Sequence, residues 1–149
     1  MLSNTCKYAV RAVIYLASGF DGDHKYGIKK ISEDLKIPSP FLGKILQKLV
    51  KSGVLNSNKG PNGGFCLAKD PNLITLFDVV NVIDGKAFFE QCLICDMTCS
   101  EREENDDFCA IHLGFKEIRE SITNLFKNKT IGELLDDANN DQTPASLRF

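Results

Sequence analysis

Histidine is scarce in this chain: its 149 residues hold only His24 and His112. No nucleophile motif accompanies them. The one glycine-rich run, Gly60 to Gly64, falls between two strand-like stretches, where a phosphate-cradling loop would have to open a helix. Enzymatic chemistry is therefore not expected. Long apolar runs are also lacking, as is a cleavable leader, which argues against membrane insertion and export and makes the cytoplasm the expected location. Residues 1–20 contain neither Asp nor Glu, and no internal repeat is visible.

What is present is unevenly distributed. The net charge of −2 conceals two halves of opposite sign. Residues 1–70 carry 11 Lys and Arg against 5 Asp and Glu, a balance of +6, and residues 71–149 carry 7 against 15, a balance of −8. Neutralising phosphates supplies much of the affinity of a protein for a duplex, so the basic half is the one suited to nucleic acid. A hydrophobic content of 43% over this length supplies a core for one small domain with an appended helix.

The basic half centres on residues 38–68. Ser39 is a good N-cap and Pro40 a good first helical residue, since the cap oxygen accepts an orphan N–H and proline has none to lose. Leu42, Ile45, Leu46, Leu49 and Val50 recur at helical spacing and face a core, with Lys44, Lys48 and Lys51 outside that stripe. Gly53 is the natural stop. Val54–Ser57 and Phe65–Ala68 then read as strands, joined by turn residues Lys59-Gly60-Pro61-Asn62-Gly63-Gly64. A lysine-bearing helix followed by a hairpin with a basic, glycine-rich tip has the layout of a winged helix, in which the helix enters the major groove and the wing lies along an adjacent groove. A plain α+β core with one solvated lysine face is the competing reading.

The wing, K-G-P-N-G-G-F-C-L-A, closely resembles that of the IscR-type transcription regulators, also called the Rrf-two family. There an arginine usually leads the Gly-Pro-x-Gly-Gly-aromatic motif. S-P-F-L-x-K-I-L-Q-K-L-V-K-x-G also resembles the family's recognition helix. The opening T-C-K-Y-A-V-R-A-V-I-Y-L-A is similar to the family's first helix, whose basic face touches phosphates. The resemblance implies double-stranded DNA, as a palindromic operator, for the partner. Its DNA-contacting candidates here are Lys7 and Arg11 on the first helix, Ser39, Pro40, Phe41 and Lys44 on the recognition helix, and Lys59, Gly60, Pro61, Gly63 and Gly64 in the wing. Gly43 stands where many relatives carry a longer polar side chain.

Elsewhere the spacing predicts a helix within Met1–Ser18 and a short one over about Lys29–Lys36 that yields at Ile37-Pro38. A helix over Asn72–Ile83 follows, capped by Thr75 and Asp78 and ended by Gly85. His24 reads as a loop residue without a role. From Phe115, the positions Phe115, Ile118, Ile122, Leu125 and Phe126 mark a helix whose apolar stripe is too long for so small a domain to cover. A second copy would cover it, and relatives of the IscR type use this helix as their dimer interface. Thr130 and Glu133 cap a last short helix through Leu135, and beyond Asp136 the tail is expected to fray.

Four of the six cysteines, Cys92, Cys95, Cys99 and Cys109, fall in one hydrophilic stretch, with His112 one turn after Cys109. In a chain of this class such a cluster reads as metal or redox chemistry more readily than as disulfides. By spacing alone, Cys92-x2-Cys95 with Cys109-x2-His112 suits tetrahedral zinc. The resemblance implies an iron–sulfur cluster instead, held by Cys92, Cys99 and Cys109. A two-iron (2Fe-2S) cluster takes four protein ligands, and His112 or, as the alternative, Cys95 would be the fourth. Cys6 and Cys66 read as structural or incidental.

The expected architecture is mostly α with a small β-hairpin wing. It has a winged helix-turn-helix DNA-binding domain over 1–84, a cysteine-containing cluster loop over 85–108, a dimerisation helix and short terminal helix over 109–136, and a flexible tail over 137–149. The expected function is a homodimeric transcription regulator of the IscR type, sensing redox, nitric oxide or iron–sulfur status. A winged-helix regulator with structural zinc, or with a thiol switch, is the alternative.

Overall fold

The computed structural model describes residues 2–20, 24–91, 98 and 112–139. Helix α1 (Asn4–Ala17) begins where Ser3, in extended conformation, accepts the Cys6 N–H on its hydroxyl at 3.0 Å. Ala9, Ala12, Val13 and Leu16 are buried on one side of it. Two of these are alanines, so other elements approach the α1 backbone closely, and α2, α3, the hairpin, α4 and the final helix all pack on α1.

Helix α2 (Ile28–Leu35) buries Ile31 and Leu35 and stops at Lys36, a left-handed residue with φ 55°. It is joined to α1 by the Tyr15 hydroxyl, which donates to Asp34 at 2.5 Å. Helix α3 (Ser39–Lys51) starts one residue earlier than expected: Pro38 holds the cap position, and its carbonyl accepts from the N–H groups of Phe41 and Leu42 at 3.0 and 2.9 Å. Ser39 is thus the first helical residue and its hydroxyl does not cap, while Pro40, second in the helix, still forfeits no intrahelical bond. At the other end Gly53, at φ 75°, donates to the Val50 carbonyl and Val54 donates to the Leu49 carbonyl. That pair of bonds is a Schellman stop.

The hairpin joins β1 (Leu55–Asn58) to β2 (Gly64–Leu67), antiparallel, with Leu55 opposite Leu67 and Asn58 opposite Gly64. Each strand is one residue displaced from the expected bounds, toward the turn. Tyr26 adds a third rung on the far side of β2, exchanging N–H and carbonyl with Phe65 at 3.0 and 2.9 Å.

The helix expected over Asn72–Ile83 is divided. A single 3₁₀ turn, Pro71–Leu73, precedes α4 (Leu76–Ile83), whose Thr75–Asp78 capping box is present as expected. Tertiary pairing breaks the helix: the Leu76 N–H donates to the Lys129 carbonyl and the Ile131 N–H to the Ile74 carbonyl, both at 2.8 Å. A short α5 (Ala87–Glu90) follows, and then α6 (His112–Asn128) and α7 (Ile131–Asn139).

Thr130 and Glu133 form the second expected capping box, at 2.9 and 3.1 Å. The helix they open continues to Asn139, past the expected end at Leu135. Asp137 pairs with Lys129 at 2.7 Å within that extension. Ile131 has no exposed surface and belongs to the main core, with Leu134 and Leu135 packed against it. Burying that one side chain contributes about 2 to 3 kcal/mol, so α7 is held against the winged-helix core. A second core joins Cys6, Val80 and Phe89 with Phe77, Phe88 and Phe126.

Candidate nucleic-acid interface

The start of α3 and the wing present the candidate DNA contacts to solvent. Pro40, Phe41 and Lys44 are exposed and Ser39 is half-buried; Lys59, Gly60 and Pro61 are exposed at the turn. Gly43 is half-buried, and a Cβ there would approach Ile28 to 3.2 Å.

The wing glycines have separate structural reasons. Gly60 sits at φ 118°, a conformation side chains disfavour, and its carbonyl accepts the Gly63 N–H at 3.0 Å to close the turn. A Cβ on Gly63 would lie 2.3 Å from the Asn58 carbonyl oxygen, and one on Gly64 would lie 2.6 Å from that of Tyr26. Gly63 and Gly64 are thus required by the wing's own close approaches, whatever else touches them.

The two first-helix candidates are placed differently. Lys7 is exposed, and its side chain makes no hydrogen bond or ion pair among the described residues, although its backbone N–H donates to the Ser3 carbonyl at 3.0 Å. Arg11 is half-buried, and its guanidinium donates to the Leu35 carbonyl at 3.2 Å, at the C-terminal end of α2 where a cation is favoured. Between them in sequence, Tyr8 meets Phe41 edge to face, with ring centroids 5.8 Å apart and planes at 88°. Sequence reading placed Tyr8 on the apolar face of α1 and missed this contact. Helical spacing identifies a face but not the partner helix.

Cys92, Cys95, Cys99 and Cys109 lie outside the described residues. His112 opens α6, and its side chain is likewise outside them. The flanks of the segment are described. Gln91 bridges Thr98 in antiparallel fashion, and the Arg119 guanidinium on α6 donates to the Glu90 carbonyl at the end of α5 at 3.1 Å. Phe88 and Phe89 both lie 5.7 Å from Phe126 between ring centroids. Both sides of the cysteine segment are therefore fastened to each other.

Of the two described thiols, Cys6 is fully buried, and burial, reinforced by the Asp84 charge and a hydrogen bond with it, pushes its pKa up to about 12. Such a group stays a neutral thiol and is a poor metal ligand or nucleophile. Cys66 is half-buried on β2. Among the described residues no group of His, Cys, Asp and Glu side chains is placed to hold a metal ion, and no helix is long and apolar enough to cross a membrane.

The fold recurs among solved structures. CymR of B. subtilis, the global cysteine regulator, superposes with a TM-score of 0.73 at 21% identity, covering 91% of this chain and 96% of its own. IscR of T. potens gives a TM-score of 0.70 at 25% identity over 97% and 92%. In sequence, an HTH-type transcriptional regulator of Aquifex aeolicus is 38% identical over 135 residues, 91% of each chain. The model of the Rrf2 family, described as iron-dependent transcriptional regulators, matches residues 2–137. With the exposed recognition helix and wing described above, these findings show that the chain belongs to the Rrf2 family of DNA-binding transcription regulators, and is not an enzyme.

Proposed function

We propose that the chain acts as a homodimer on a two-fold-symmetric operator and that its affinity is set by an iron–sulfur cluster, most simply 2Fe-2S, on Cys92, Cys99 and Cys109. His112 is the preferred fourth ligand and Cys95 the second choice. The donor set is dominated by thiols, which suits iron–sulfur ligation and also zinc. When bound, the group supplies a one-electron couple and iron–thiolate bonds labile to oxidants and nitric oxide. The residues Lys7, Arg11, Ser39, Pro40, Phe41, Lys44, Lys59, Gly60, Pro61, Gly63 and Gly64 form the DNA face in this reading.

The observation that carries the regulatory part is the fastening of the segment's two sides by Arg119 and Glu90. Ligands drawn from both sides would act across that joint, between α5 and the start of α6. The dimer part is supported by the stripe on α6: Ile118 and Leu125 are 55% and 59% exposed, with Ile122 also uncovered. Three large apolar side chains in one helical row suit a second copy. A shift of paired α6 helices would alter the spacing of the two recognition helices.

Anaerobic purification tests the proposal. A brown protein with iron, acid-labile sulfide and DNA affinity that changes on loss of the cluster is expected. A colourless protein with stoichiometric zinc favours the structural-metal alternative. A metal-free protein whose DNA affinity changes on thiol oxidation favours the thiol switch.

A further inference from the structure

We infer that Phe41 reads a thymine methyl group in the major groove and that Tyr8 is the positioning residue that holds its ring there. This rests on the operator-binding reading above and extends it to the chemistry of base recognition. Phe41 lies in the first turn of α3 and remains 38% exposed, although it is large and apolar. A phenyl ring has no hydrogen-bonding atom, so it gains nothing from a phosphate, while in the major groove the one apolar feature of a base edge is the thymine C5-methyl.

The neighbouring positions leave few other readers. Ser39 has a short hydroxyl, Pro40 has no polar side chain, and Gly43 has none at all. None offers the two-pronged hydrogen bonding by which Arg identifies guanine or Asn and Gln identify adenine. Lys44 is the remaining long polar side chain on the exposed part of the first two turns. Lys44 and the short Ser39 hydroxyl apart, the exposed start of the helix is apolar, and Phe41 is its large apolar side chain.

A freely rotating ring would discriminate poorly. The edge-to-face contact at 5.8 Å and 88° sets Tyr8 of α1 against Phe41 and limits its rotamers. Lys7 precedes Tyr8 in sequence and is exposed, so a phosphate held by Lys7 would fix α1, and through Tyr8 the ring, relative to the duplex.

The test uses the full-length protein and duplexes it selects from a randomised library at low salt. Each thymine of a selected duplex is replaced in turn by deoxyuridine, which removes the methyl and nothing else. At one thymine per half-site, binding is expected to weaken about three- to tenfold, the range for loss of one buried methyl. In Phe41→Ala the same replacement should make no difference. In Tyr8→Ala the thymine-to-deoxyuridine ratio should shrink while affinity for unrelated duplex is unchanged, a pattern that general loss of structure would not give. Selected duplexes indifferent to every methyl, or a full ratio retained in Phe41→Ala, overturn the inference alone. Failure to select any duplex overturns it together with the operator-binding reading.

Discussion

The Asp84 carboxylate accepts two hydrogen bonds from Ser3, one from its backbone N–H at 2.9 Å and one from its hydroxyl at 2.5 Å, across 81 residues of chain. The same hydroxyl caps α1 by accepting the Cys6 N–H. Asp84 ends α4 and immediately precedes Gly85, where the cysteine segment is expected to start. One carboxylate therefore ties α1 to the root of the proposed sensing segment.

Asp84→Ala should lower stability by about 1 to 2 kcal/mol in urea unfolding, since it strands the Ser3 donors and loosens the cap. The alkaline limb of the stability curve should also respond to Cys6. Its folded pKa of about 12 exceeds the ordinary 9.0, so the neutral thiol contributes stability that is fully present below about pH 9 and lost as pH rises toward 12. Tyr15, raised to about 12 by burial and by Asp34, acts with the same sign. Cys6→Ala should flatten part of that limb, and Cys6→Ala with Tyr15→Phe more of it.

Gly64→Ala should cost about 1 to 3 kcal/mol, because its methyl would sit 2.6 Å from the Tyr26 carbonyl oxygen and must part the Tyr26–Phe65 rung. A Cβ on Gly114 of α6 would meet nothing within 4 Å among the described residues, and Gly114→Ala should instead raise stability by about 0.5 to 1 kcal/mol through helix propensity. Opposite signs in thermal melts check both.

Lys59→Ala and Lys7→Ala should weaken binding to all duplexes and lower the salt slope by about one each, with melting temperature unchanged, as both are exposed. Arg11→Ala should also lose about 1 kcal/mol of stability, since its guanidinium holds the end of α2 through the Leu35 carbonyl. Salt titrations of affinity, paired with melts, separate these roles.

Leu125→Glu should leave the protomer folded, because that side chain is 59% exposed in the single chain. In a dimer paired along α6 it would bury two like negative charges, so sedimentation should report monomers and operator affinity should fall at least tenfold. A dimer that survives the substitution would place the interface elsewhere.

Local chemistry made much of the fold legible. Thr75 with Asp78 and Thr130 with Glu133 name their helix starts because a capping box is completed within four residues. Gly53 names the end of α3 for the same reason: a left-handed residue there completes the Schellman bonds. Where the expectation shifted, a competing backbone group intervened, adjacent in one case and distant in sequence in the other. The Pro38 carbonyl displaced Ser39 from the cap, and pairing of Ile74 and Leu76 with residues 129 and 131 broke the helix expected from Asn72. For α7, the extension to Asn139 comes with Lys129–Asp137 pairing and an Ile131 anchor, neither of which periodicity weighs.

The same division holds for the site. Sequence by itself determined the basic half, the order of helix, hairpin and glycine turn, and the gathering of four thiols ahead of a histidine, because each is a property of residue type and spacing. Only the tertiary structure decided that Arg11 serves α2 while Lys7 faces outward, that Tyr8 supports Phe41, and that Asp84 joins α4 to α1. Those are contacts between side chains brought together by the packing of α1 against its neighbours, and no local pattern in the chain encodes which surfaces that packing will oppose.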